Sequence, residues 1–156
     1  MTDMSKAELD QAQPRPFSFM QPMRLGKDVR SRGGGPPGRT LLVVEDEILV
    51  ALQVSELMEI AGWNIIGPAS SLKEAQALIA DGHRIDAAVL DINLDGTPVY
   101  PLADTLREQG VPILFCTGYE MIGEAERFAD CAYLNKPVGA HEIIPAVNAL
   151  IDQKAA

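Results

Sequence analysis

No disulfide framework can be written for this sequence. Cys116 and Cys131 are its only two cysteines in 156 residues, and they lack metal-ligand spacing. No apolar run approaches the ~18 residues of a bilayer span, and no signal-peptide core stands near the N-terminus. A cytoplasmic protein with reduced thiols and no membrane role is the expectation. Positive charge is scarce beyond residue 39, where six Lys and Arg face 18 Asp and Glu, a net of −12. A domain this acidic argues against a nucleic-acid-binding surface as its main business, and no direct nucleic-acid partner is expected. Residues 1–39 carry the opposite balance, +3, which leaves the chain at −9. They also lack any helical or alternating period, and hold five prolines and five glycines. Such a segment buries too little apolar surface to offset its backbone entropy, so 1–39 reads as a disordered basic Gly/Pro-rich arm. Its Gly33–Thr40 stretch imitates P-loop spacing with Arg39 in place of Lys. No strand precedes it, however, and Pro36 and Pro37 remove backbone donors a phosphate would need.

What is present from Thr40 onward is one alternating domain, 40–156, in a chain that is 47% hydrophobic with mean hydropathy +0.03. Leu41–Val44 is a short apolar run, as expected of a strand buried on both faces. A helix follows over 47–61, with Val50, Val54, Leu57 and Ala61 at helical spacing and Gly62 to end it. Trp63–Ile66 is a second strand closed by Gly67-Pro68. Ser71 and Glu74 form a capping box for a helix whose Leu72, Ala75 and Ile79 face inward. Ala87–Leu90 is a third strand, and Val99, Leu102, Ala103 and Leu106 mark a helix that stops at Gly110. Pro112–Cys116 is a fourth strand, 121–129 a short helix, Cys131–Leu134 a fifth strand and 140–153 a closing helix. Strands alternating with helices imply a parallel sheet between helical layers, because right-handed crossovers place helices on both faces.

Ligands of such sheets bind beyond the carboxyl ends of the strands. The first strand ends in Glu45-Asp46-Glu47, the third in Asp91, the fourth in Thr117-Gly118 and the fifth in Asn135-Lys136-Pro137. Carboxylates ~4 Å apart repel by about 4 kcal/mol at an effective dielectric of ~20, so they take up protons or share a cation. An all-oxygen donor set selects a hard ion, and Mg²⁺ uses few carboxylates plus phosphate oxygens. A carboxylate beside such an ion can attack a phosphoryl group to form an acyl phosphate, with a Lys and a Thr hydroxyl holding its oxygens. Acid pair, lone Asp91, Thr117 and Lys136 are the parts for phosphoryl transfer onto Asp91. Cys116 reads as a buried strand residue, and His83 and His141 as surface residues.

These motifs, in this order on these strand ends, resemble the receiver domain of bacterial two-component response regulators over residues 40–153. The resemblance implies a flavodoxin-like, doubly wound five-stranded parallel sheet of order 2-1-3-4-5 with five flanking helices, the fourth short. It implies Asp91 as phosphoacceptor and Mg²⁺ held by Asp46, Asp91 and the Asn93 carbonyl, with Glu45 acting through water. Thr117 would sense the phosphoryl group and Lys136 would bridge to it, with a cis peptide bond before Pro137. Tyr133 would be the aromatic switch, and Asn93 and Tyr119 would tune autodephosphorylation. Pro112–Tyr119 resembles the Pro-Phe-x-Phe-Ala-Thr-Gly-Tyr signature of the FAT GUY subgroup, departing at Ile113 and Cys116. The usual Pro after the acceptor is replaced by Leu94-Asp95-Gly96, and the Thr117-to-Lys136 interval is compressed.

The expected function is a stand-alone, monomeric or weakly dimeric phosphoacceptor rather than an enzyme. Its donor would be a sensor histidine kinase or a histidine phosphotransfer protein, and its output protein contact. Alternatives are a phospho-independent scaffold on the same fold and a phosphate sink or relay intermediate. An Asp-nucleophile phosphatase of the haloacid dehalogenase type would need an acid where Asn93 stands.

Overall fold

The computed structural model describes residues 38–118 and 124–156. In chain order these form β1 (Thr40–Val44), α1 (Ile48–Ile60), β2 (Asn64–Ala69), α2 (Leu72–Ala80) and β3 (Ala87–Asp91). A small ribbon, β4 (Asn93–Leu94) with β5 (Thr97–Pro98), leads to α3 (Tyr100–Glu108). Then come β6 (Ile113–Thr117), a 3-10 helix (Glu124–Phe128), β7 (Ala132–Asn135) and α4 (Ala140–Ala155). The five long strands lie in the order β2-β1-β3-β6-β7, every neighbouring pair parallel. With the ribbon left uncounted, this is the expected 2-1-3-4-5 arrangement.

Alternation along β1 separates two cores, because successive strand side chains point to opposite faces. Leu41 and Val43 join Val54 and Met58 of α1 and Ile143 and Val147 of α4. Leu42 and Val44 join Ala75 of α2, Leu102 and Leu106 of α3, and Phe115 of β6. No helix among the described residues is long and apolar enough to cross a membrane.

Local chemistry explains most element ends. Past Ala61, Trp63 N–H returns to Met58 O at 3.0 Å, and the indole Nε1 donates to Asn148 Oδ1 at 3.2 Å, tying α4 down. Ser71 caps α2 by accepting from Glu74 N–H at 3.2 Å. The expected return contact is displaced by one residue: the Glu74 carboxylate accepts from Ser70 N–H at 2.7 Å and Ser70 Oγ at 2.9 Å.

Three features depart from the sequence reading. β2 does not close at Gly67-Pro68 but continues to Ala69, through a register shift against β1 and a cis Gly67–Pro68 peptide. Gly67 has φ +96, and a Cβ there would stand 2.8 Å from both Val43 O and Ala69 N, so only glycine lets the strands approach. The β4–β5 ribbon, turning at Asp95 (φ 49) and Gly96, has no counterpart in the periodicity of the sequence. The described part of the short helix expected over 121–129 is 3-10 rather than α-helical, so four α-helices are found among the described residues. The reason is an anchor: Phe128 is fully buried, stacked on Tyr100 at 5.5 Å and set edge-on to Phe115 at 5.5 Å. Arg107 and Arg127 lie 4.7 and 5.3 Å from its ring, Arg107 pairs with Asp130, and Arg127 pairs with Asp104 at 3.2 Å. The arm expected over 1–39, save Gly38 and Arg39, falls outside the described residues, as does Tyr119.

Candidate functional site

The site is assembled by strands that end together. β1 and β3 are adjacent and in register, Val44 opposite Leu90, so Glu45 and Asp91 emerge side by side at their carboxyl ends. Across β3, Asp91 stands opposite Cys116, and Thr117 of β6 stands opposite Asn135 of β7, which delivers Lys136 to the same rim. The Lys136–Pro137 peptide is cis, as expected.

Lys136 is the centre of the arrangement. Its Nζ lies 2.6 Å from Glu45 Oε2, 3.0 Å from Asp91 Oδ2 and 3.5 Å from Glu47 Oε1. Glu45 and Asp91 are 5% and 6% exposed, so this ammonium neutralises carboxylates that water reaches poorly. Burial first of all, and then the neighbouring Asp91, push the Glu45 carboxyl from 4.5 up to about 7, against the pull of Lys136. Burial pulls Lys136 the other way, but its hydrogen bonds to Glu45 and Asp91 outweigh that and hold it above the ordinary lysine range.

Glu45, Asp46 and Asp91 each present one carboxylate oxygen, all within 4.8 Å of one another. An oxygen-only set of this size fits a hard divalent cation such as Mg²⁺, which accepts few protein ligands and keeps the rest of its shell for water or phosphate. Backbone amides hold the three in place. Glu47 N–H donates to Glu45 Oε1 at 3.1 Å, Asn93 N–H to Asp91 Oδ1 at 3.1 Å, and Asp95 N–H to Asp46 Oδ2 at 2.9 Å.

The other candidates stand as follows. Thr117 is buried, and its hydroxyl donates to Gly118 O at 2.9 Å. Asn93 is exposed, its side-chain oxygen taken by Gly96 N–H at 2.8 Å. Tyr133 stacks on Phe115 at 5.2 Å and donates its hydroxyl to Phe128 O at 3.0 Å. Tyr119 lies outside the described residues. Burial lifts the Cys116 thiol to about 12, so it remains protonated and is no nucleophile. Sequence reasoning missed two participants: Glu47, as a third partner of Lys136, and Asp95, whose amide holds Asp46. Glu47 carried a signal, being the acid that follows the pair on the same rim. Asp95 carried none, because its role depends on the β4–β5 turn.

Comparison with known proteins places this geometry in context. The family model of the response regulator receiver domain matches residues 41–148. The transcriptional regulatory protein PdtaR of Mycobacterium tuberculosis is 28% identical over 119 residues, 74% of this chain and 58% of PdtaR. The phyllosphere-induced regulator PhyR of Methylorubrum extorquens is 35% identical over 81 residues, 51% of this chain and 30% of PhyR. The chain thus spans little more than half of the first of these relatives and under a third of the second. Among solved structures, SdrG of Sphingomonas melonis superposes with a TM-score of 0.64 at 32% identity, over 72% of this chain and 96% of SdrG. A receiver protein of Sinorhizobium medicae gives 0.63 at 27%, over 74% and 96% of the two chains.

Proposed function

The chain belongs to the response regulator receiver domain family, and from that premise we propose that it accepts a phosphoryl group on Asp91 from a phosphohistidine, with Mg²⁺, and signals through protein contacts. The observation that carries the reading is Lys136 Nζ bridging Glu45 and Asp91, with Asp46 alongside. Asp91 Oδ1 is fixed by Asn93 N–H, and Oδ2 faces the ammonium. An oxygen of this carboxylate attacks phosphorus, and the leaving group takes the electron pair of the broken bond. Lys136 is placed to hold a phosphoryl oxygen as it leaves Asp91, and Thr117 to exchange its bond to Gly118 O for another. Glu45, Asp46 and Asp91 would hold Mg²⁺, which supplies charge neutralisation to the phosphoryl oxygens.

The donor in this reading is a sensor histidine kinase or a histidine phosphotransfer protein. A protein donor is supported by the apolar start of α1 beside the site, where Ile48, Leu49 and Leu52 are 71%, 78% and 54% exposed. The Pro112–Tyr119 motif, which departs from the signature at Ile113 and Cys116, supports membership of the FAT GUY subgroup. The direct test is labelling by a small phosphodonor. Wild type is expected to take up one phosphoryl group with Mg²⁺ and none when the ion is chelated beforehand, and Asp91→Asn to take up none with Mg²⁺ present. Equal labelling of Asp91→Asn would move the acceptor elsewhere. Absence of labelling in wild type, by small donors and donor proteins alike, would leave the fold as an interaction scaffold.

A further inference from the structure

We propose that Glu47 selects among phosphoryl donors by the charge of their leaving group, favouring transfer from a protonated nitrogen over transfer from an anionic oxygen leaving group. The inference rests on Asp91 being the acceptor. Glu47 differs from the other acids of the rim in its placement. Glu45 and Asp91 are buried against Lys136, whereas the Glu47 side chain is 66% exposed and reaches the same ammonium from outside, at 3.5 Å. It heads α1 without capping it, so its carboxylate is not committed to the helix N-terminus. A groove of about 390 Å³ opens at this point, with Val50, Val54 and Val138 as walls, Gly118 on its rim and Lys136 at its charged end. Glu47 is the sole acid among the described residues lining it.

That position matters because of what departs. Transfer forms a bond from an Asp91 oxygen to phosphorus while the bond to the leaving group breaks, and its electron pair goes with the leaving group. In phosphoramidate the nitrogen is already protonated, so it departs as neutral ammonia. In acetyl phosphate the pair departs on acetate, an anion. A leaving group lying in the groove sits against Glu47, whose carboxylate attracts the N–H of the first and repels the charge growing on the second. Being exposed, Glu47 acts through a field that salt screens.

The test compares initial rates of Asp91 labelling by phosphoramidate and by acetyl phosphate, using the full chain with Mg²⁺ at low and high ionic strength. Glu47→Gln is expected to speed acetyl phosphate and slow phosphoramidate, lowering the ratio of the two rates about tenfold at low salt. Glu47→Asp should keep the wild-type ratio, and high salt should bring the wild-type ratio towards that of Glu47→Gln. A ratio unchanged by Glu47→Gln overturns the proposal even if both rates move, because a general effect on the fold or on Lys136 shifts both donors together. Labelling that survives Asp91→Asn overturns instead the acceptor reading beneath it.

Discussion

Glu45 and Lys136 show how a buried charge set behaves before any cation or phosphoryl group joins it. Three acids surround one ammonium, and the most buried of them, Glu45, keeps its proton up to about 7. Between the ordinary carboxyl value of 4.5 and about 7, the folded protein binds this proton and the unfolded chain does not. Without a cation, stability contributed by the protonated form is therefore full below 4.5 and lost as pH rises through about 7. Cation binding runs the other way, since Mg²⁺ must displace that proton. Calorimetric titration should find Mg²⁺ affinity rising several-fold between about pH 6 and pH 8, and Glu45→Gln should flatten that rise.

At the scale of elements, the 3-10 helix Glu124–Phe128 ahead of β7 is held by a side-chain anchor more than by helix propensity. Phe128 is enclosed by Tyr100 and Phe115, and crossed ion pairs run from α3 to either side of it, Arg107 with Asp130 and Asp104 with Arg127. These pairs are largely exposed, so each is worth roughly 0–1 kcal/mol, whereas emptying the Phe128 site costs about 3–5 kcal/mol. Denaturant unfolding should therefore show Phe128→Ala strongly destabilised and Arg127→Ala changed much less. The Tyr133 hydroxyl is bound to Phe128 O, so the anchor and the expected aromatic switch are one packing unit. Compression of the Thr117-to-Lys136 interval indicated that this element would be unusual. Its 3-10 form was not legible, because burial of Phe128 depends on partners in α3 and β6 that helical periodicity does not carry.

At the scale of the whole molecule, most acids among the described residues are solvated surface, while Glu45, Asp46 and Asp91 converge at one end of the sheet. A cation that binds only this folded constellation stabilises the fold by mass action, by about 2.7 kcal/mol at a hundred times its Kd. Thermal unfolding should accordingly shift upward with Mg²⁺ in wild type, and Asp46→Asn should abolish most of that shift. A shift of equal size in Asp46→Asn would assign the effect to diffuse screening of the acidic surface.

The sequence by itself determined the alternation of strands and helices, the apolar runs of β1, β3 and β6 buried on both faces, and the acids, threonine and lysine at the strand ends. These are local properties, written in periodicity and in the residue that follows each run. Its order of motifs also carried the family and hence the sheet order. Only the tertiary structure decided which oxygens meet. Lys136 lies 45 residues from Asp91 yet 3.0 Å away, and Glu47 and Asp95 enter the site through a helix start and a ribbon turn. Strand register and backbone turns set those distances, and no spacing along the chain contains them.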